Sequence, residues 1–539
     1  MTMDSGLIIC QQIHDNHPSE CLQIYCKCIA YKSFVLTIFR RGTIAAARIN
    51  LYIYTMPENS TLSNGNQPMR VAGRLAALAI LVLLILAVVY YKERMLYADA
   101  PHILFRIISD GQLHIEEHRY GSFVSQAFPW LGLRLHFPLV ALMIFYSAGF
   151  YIFYLSIALL LVYKFRNYAL AILLGLYYTL FASDTFYWSN NEVHQGIAWL
   201  MLAFAVCNNA AAGQKSLLLQ LVFFIAMFFL AIWTHPLVML PAVYLWFFLA
   251  ASKQGFKSLS RFQTTLFSVV LVVLAYIKFY QGMHHGYDSS KIESITTFDY
   301  HTLSTIFASE QFRFFTTNCV THYWLFTILS IAGLVGLSVK RKYGLVLWTL
   351  LFFAGYLVLT CITFRDSISR SYMESEYAPL VIICCAPFVY YVLPYLKPRW
   401  VVALFSFVYV VRIIYIVCAV TPFSNRLALL EEINVHMAQK KLTKAIIQQP
   451  LPEAADHTLI ITWASPVESI FISNLKGEMP QRTFIFLTAD QIKGFNTASK
   501  DTLLGAWEKR AATTLNSSYV QIDTSVTYRV ISYDSMMRP

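Results

Sequence analysis

At 539 residues, 57% hydrophobic and 16% aromatic but only 13% charged, the chain lies far from the roughly 25% charged content of soluble domains. A mean hydropathy of +0.54 and repeated apolar runs of membrane-spanning length exclude a soluble globular protein and point to a polytopic membrane protein. The net charge of +12 therefore has to be read by location and not as a nucleic-acid footprint.

Residues 1–55 have no spanning run and no signal-peptide layout. They hold Cys10, Cys21, Cys26 and Cys28, at a spacing that matches no common zinc pattern. Met56 then opens the turn-rich stretch PENSTLSNGNQPMR, as a short cytoplasmic tail would. The expectation is that Met56 is the native start, that 1–55 is an over-extended reading frame, and that 1–70 forms an N-terminal cytoplasmic tail. Cys207, Cys384, Cys385 and Cys418 fall within apolar runs, where a cysteine serves as a small buried hydrophobe.

From Val71 the apolar runs fall at about 71–91, 138–163, 168–182, 194–212, 216–234, 237–251, 263–280, 322–338, 344–362, 377–394 and 400–420. They predict a mainly α protein with about eleven transmembrane helices in a domain spanning 71–420. With the N-terminus cytoplasmic, the inside loops carry Arg70, Arg74, Lys164, Arg166, Lys215, Lys253, Lys257, Arg261, Lys340, Arg341, Lys342, Lys397 and Arg399 and no acid. Every Asp and Glu between 70 and 420 falls on the other side, where the loops 92–137, 281–321 and 363–376 are long. Function is thus expected on the non-cytoplasmic face. Residues 421–539 change character: RLALLEEINVHMAQKKLTKAIIQQ reads as an amphipathic helix, and HTLIITWA, RTFIFLTA and TYRVISYD read as strands. They predict a small α/β or α+β extramembrane domain, also outside.

Three polar clusters interrupt the apolar pattern. The first outside loop, YADAPHILFRIISDGQLHIEEHRYGSFVSQAFPWLGLRLH, places Asp99 just past the first span, followed by His102, Arg119 and Arg134. HILFRIISDGQLHI has the apolar spacing of a helix lying along the membrane interface. The run Glu116, Glu117, His118 needs no function beyond solvation. The second cluster, ASDTFYWSNNEVHQG, brings Asp184, Asn190, Asn191, Glu192 and His194 together between the third and fourth spans. Glu192 and His194 open a helix whose positive end favours an anion, although capping by Asn191 or Glu192 explains them as well. Two carboxylates from these loops, meeting over the membrane plane, offer a general base and a group that binds metal or orients an acceptor. In the third cluster, TFRDSISRSYMESEYAPL, Arg365 and Arg370 suit a phosphate clamp, with Glu374 and Glu376 nearby. His235 in WTHPL reads as a turn-forming His-Pro, and His284, His285 and Asp288 as a nonspecific metal spacing.

An acid (Asp99) opening a large first outside loop, a second acidic cluster (Asp184, Glu192) between helices three and four, and an outside C-terminal domain after many helices resemble the GT-C class of integral membrane glycosyltransferases. Relatives in that class include protein O-mannosyltransferases and aminoarabinose transferases. The likeness covers roughly 71–539, with Asp99 standing in YADAP and not in the paired-acid form common in the class. The resemblance implies transfer of a hexosyl or pentosyl group from a polyprenyl-phosphate-linked donor to a glycan, lipid or protein acceptor at the outer surface of a bacterial inner membrane. It implies Asp99 as catalytic base, with Glu192 as its catalytic partner. His102, Arg119, Asp184, Asn191, His194, Arg365 and Arg370 would bind substrate. A divalent metal held by Asp99, Glu192 or His194 would offset the leaving phosphate together with arginines such as Arg119 or Arg134. The other readings are a transporter or flippase of envelope lipids or saccharides, and a noncatalytic envelope-assembly protein.

Overall fold

The computed structural model describes residues 67–208, 217–252, 259–284, 287–364, 370–494, 499–506 and 508–538. The chain divides into units 1–64 and 65–539, and the described residues belong to the second. The expectations for 1–55, Met56 and the four N-terminal cysteines lie outside the described residues, as do Arg365, His285 and the side chain of Asp288.

The order begins with α1 (Gln67–Val89) and α2 (Tyr91–Met95), then the first loop with α3 (Asp99–Asp110) and α4 (Phe123–Arg134). Next come α5 (Leu139–Leu159), α6 (Tyr168–Leu180), α7 (Glu192–Asn208), α8 (Leu217–Thr234), α9 (Met239–Ala251), α10 (Arg261–His284) and α11 (Tyr287–Thr296). They are followed by α12 (Glu310–Thr321), α13 (Trp324–Val339), α14 (Tyr343–Thr363), α15 (Arg370–Tyr377), α16 (Leu380–Tyr391), α17 (Pro398–Cys418) and α18 (Val420–Gln439). The tail holds β1 (Lys444–Gln448), α19 (Glu453–Leu459), α20 (Ser465–Leu475), β2 (Thr483–Leu487), α21 (Ala489–Gly494), β3 (Thr502–Leu504), β4 (Lys509–Ala511), β5 (Arg529–Ser532) and α22 (Tyr533–Met537).

Each apolar run of the sequence coincides with a helix, but only six of the described helices are long and apolar enough to cross a membrane. These are α1, α5 with a π-helical extension to Lys164, α8, α10, α14, and α17 running on into α18. Two further pairs qualify only if each is one bent span, α12 with α13 at 85° and α15 with α16 at 46°, for a total of eight. The other runs form shorter helices among the described residues, and α6 shows that an apolar run need not face lipid. It is buried on nearly every side, packed between α1, α16 and α17, and a helix surrounded by protein is as apolar all round as one surrounded by lipid. Cys207, Cys384 and Cys385 are buried as expected, whereas Cys418 is exposed at the end of α17.

The tail is a small mixed domain, with two corrections to its elements. KAIIQ, read as the end of the amphipathic helix, is the central strand β1, and HTL, read as a strand, ends the helix α19. A parallel three-stranded sheet runs β2-β1-β5, and β3 pairs antiparallel with β4. β1 and β2 are buried on both faces, which is why they read as continuous apolar runs without alternation.

The first loop also differs from expectation. α3 does not lay its apolar stripe on a lipid interface; Ile103, Leu104, Phe105, Ile107 and Ile108 are buried, and the helix packs against α4 and α20. Charge pairs fasten the same helix to the tail: Arg106 to Glu508 at 2.6 Å, and Asp110 to Arg510 at 2.9 and 3.3 Å.

Candidate functional site

Asp99 owes its place to the chain just before it. Ala98 has φ +53°, a left-handed value that a residue with a Cβ adopts only against strain. The surroundings that hold it come from the tail. Arg426 of α18 is fully buried and donates from Nη1 to the Leu96 carbonyl at 2.8 Å. Its Nη2 donates to both carboxylate oxygens of Glu468 on α20 at 2.7 and 2.9 Å, and Glu468 also accepts the Ala98 N–H. The chain leaves this grip as the first turn of α3, with Asp99 at its start.

Trp188 of the second cluster donates from Nε1 to Asp99 Oδ2 at 2.8 Å, and its ring packs on Tyr372 at 4.4 Å. Burial pushes the Asp99 carboxyl up to about 7, and the nearby Glu192 charge adds to the shift, whereas the Trp188 hydrogen bond opposes it. Glu116 acts in the same sense as Glu192, and Arg119 opposes. Such a carboxyl is half protonated near neutrality, which suits a general base. Glu192 itself pairs with Arg119 at 3.0 Å. The first and second loops therefore meet, and Asp99, Trp188, Glu192 and Arg119 form one group. Asn191 sits in the same turn: its Oδ1 accepts from Val193 N at 3.1 Å, while its buried Nδ2 has no hydrogen-bond partner.

A second set fixes the loop that carries Trp188. Arg370 grips Asp184 bidentately, Nε to Oδ2 at 2.9 Å and Nη2 to Oδ1 at 2.6 Å. Glu374 is fully buried and accepts from Ser183 N, Thr185 N, Thr185 Oγ1 and Tyr323 OH at 2.7–3.0 Å. Arg412 donates to the Thr179 and His322 carbonyls and to Ser183 Oγ. Asp184 and Arg370 thus hold each other at the loop base.

The proposed metal set of Asp99, Glu192 and His194 is not brought together. His194 is buried with Nδ1 2.8 Å from Tyr177 OH, and its ring stands edge-on to Tyr177 and Tyr178. It faces helix packing because the polar start of α7 turns inward within one helical turn. Among the described residues, the one group of three His, Cys, Asp or Glu side chains with converging ligand atoms is His102, His114 and Glu116. Glu116, set aside above as part of a solvated run, lies 2.9 Å from His114 Nε2 and 3.5 Å from His102 Nε2. Burial pulls its carboxyl upward, but the two imidazoles outweigh that and hold it well below the usual carboxylate range.

Arg134 stands elsewhere, donating to the Gly111 carbonyl at 2.9 Å behind α3. His235 does what a His-Pro turn does, its Nδ1 accepting from Leu237 N at 3.2 Å. Sequence reasoning passed over Arg426 and Glu468, since a charge on an amphipathic helix carries no mark of burial. Arg412 had a signal: an arginine amid VYVVRIIYIV. Comparison of the chain with protein-family models, with curated proteins and with solved structures returned no match.

Proposed function

We propose that the chain is a multi-pass membrane glycosyltransferase of the GT-C kind. On this reading the long apolar helices cross a bacterial inner membrane, with the acidic loops and the C-terminal domain outside. A polyprenyl-phosphate-linked sugar is the donor, and a glycan, lipid or protein hydroxyl is the acceptor. Asp99 takes the acceptor proton while the acceptor oxygen bonds to the sugar's anomeric carbon and the bond from that carbon to the phosphate oxygen breaks. The Arg119 guanidinium faces the charge developing on the departing polyprenyl phosphate, and Glu192 holds Arg119 and keeps the Asp99 carboxyl raised.

The single observation that carries this reading is Asp99 itself: a desolvated carboxyl at the start of α3, hydrogen-bonded across loops to Trp188 and within the field of Glu192 and Arg119. That these loops and the tail share one side draws support from which segments touch. Asp99–Trp188, Asp184–Arg370, Arg106–Glu508 and Arg426–Leu96 each join two segments that the charge distribution assigns to the outer side. The test is transfer from lipid-linked sugar donors in membranes carrying Asp99→Asn. General-base loss is expected to lower the rate by about 10²–10⁴-fold. Unchanged transfer at equal protein level overturns the assignment.

One observation favours a transporter or flippase instead. The bent pair α15–α16 carries the buried Glu374 and Glu376, and broken helices with buried acids are a transporter device. Uptake into sealed vesicles that is lost in Glu374→Gln and indifferent to Asp99→Asn would select that reading.

A further inference from the structure

The first loop contains a second constellation, apart from Asp99, that the proposed chemistry does not use. His102 lies one turn into α3, and α3 stops at Gly111, whose φ of +66° turns the chain back on itself. The returning segment brings His114 and Glu116 beside His102, so that the three ligand atoms all lie within 4.8 Å of one another. Zn–N and Zn–O bonds of about 2.0–2.2 Å place neighbouring ligand atoms of a tetrahedron roughly 3.3–3.6 Å apart. The observed Nε2–Oε1 separation of 3.5 Å to His102 falls on that edge, and the 2.9 Å to His114, a hydrogen-bond distance, is a few tenths of an ångström shorter.

The position of His114 is built into the fold. Gln126 of α4, buried, accepts from His114 N at 2.8 Å and donates to His114 O at 2.7 Å, gripping both main-chain groups of that residue. The His102 ring is fixed edge-on between His114 and Trp463 of the tail, at 6.1 and 5.7 Å between centroids. His102 also lines a small cleft of about 30 Å³ between α3 and the tail, together with Phe105, Trp463, Leu503, Glu508 and Arg510.

We propose that His102, His114 and Glu116 form a binding site for a zinc-class divalent transition metal. Two imidazoles and one carboxylate are a donor set for Zn²⁺ and not for Ca²⁺ or Mg²⁺, which take oxygen ligands in larger number. Three protein ligands leave a fourth position for water, as in an open zinc site. The metal would tie the start of α3 to the segment 114–116 and so brace the loop that presents Asp99. The site stands whether or not the chain transfers sugar.

The test uses the full-length protein, purified in detergent without a histidine tag, stripped with a chelator and then titrated with Zn²⁺ and with Co²⁺. About one Zn²⁺ per chain by elemental analysis, and tetrahedral ligand-field absorption from bound Co²⁺, are expected. His114→Gln and Glu116→Gln should each weaken Zn²⁺ binding on the order of a hundredfold or more, since even second-shell losses reach that size. His118→Gln, whose ring in the same loop turns to Tyr120 at 3.2 Å, should bind as the parent does. Size-exclusion profiles separate lost binding from lost folding. Failure of the folded parent to retain Zn²⁺, or equal binding by the folded His114→Gln and Glu116→Gln variants, overturns the site.

Discussion

For Asp99, the side chain around which the proposed chemistry turns, a carboxyl raised to about 7 sets a pH dependence with a definite sign. A general base works ionised, so transfer should climb as the pH passes about 7 and level off above it, as measured by initial rates in membranes across that range. The Trp188 hydrogen bond favours the charged form, so Trp188→Phe should move the rising limb to higher pH; a limb left in place would separate Trp188 from the titration. Because the folded state holds this proton to higher pH than an unfolded aspartic acid would, Asp99 also removes stability as the pH rises from about 4 to about 7. The residue was legible as the acid that opens the first long polar loop, but its shift was not. That required Trp188 and Glu192, some ninety positions away in sequence, to arrive beside it. The surroundings of Glu116 were hidden for a related reason: the spacing of His114 and Glu116 is local, while the turn at Gly111 that adds His102 becomes visible only in three dimensions.

Between elements, the contact of α18 with α20 decides how residues 96–98 are held. Arg426→Met leaves the Glu468 carboxylate buried and unpaired, and a broken buried pair costs about 3–5 kcal/mol. The expected outcome is a lower midpoint of thermal unfolding in detergent. Arg426→Met with Glu468→Leu should recover part of the loss, because no unpaired charge remains. Packing within the bundle makes a separate demand at Gly175 of α6. A Cβ there would stand 2.6 Å from Ala76 Cβ and 3.0 Å from Ala76 Cα on α1, so no flexible side chain can yield. Gly175→Ala should destabilise by about 1–3 kcal/mol, the usual cost of overpacking, and thermal unfolding of the purified variant checks it. Helix positions were readable from hydropathy. The strand β1 was not, since KAIIQ continues the apolar spacing of the helix before it and only pairing with β2 and β5 makes it extended.

At the scale of the whole molecule, the charge distribution and the loop contacts bear on one quantity, the side of the membrane. A cysteine replacing the exposed Glu117 should react with a membrane-impermeant thiol reagent applied to intact cells. One replacing the exposed Lys342 should react only after the membrane is opened. The opposite pattern would invert the orientation. The same view explains why apolar runs outnumber helices of spanning length. Hydropathy reports an apolar surrounding and does not tell lipid from protein, so the enclosed α6 reads like the long, lipid-length α10.

The sequence by itself determined the mainly helical, apolar character of the protein, the positions of its apolar helices and the choice of Asp99 as the residue to question. These follow from hydropathy and local order, which are properties of composition and spacing. Only the tertiary structure decided which polar groups meet. It joined Asp99 to Trp188, Glu192 to Arg119 and Asp184 to Arg370, turned His194 into the bundle, and gathered His102, His114 and Glu116. The physical reason is that a buried polar group must find a partner wherever the fold brings one, and the distance along the chain to that partner is not written in its neighbours.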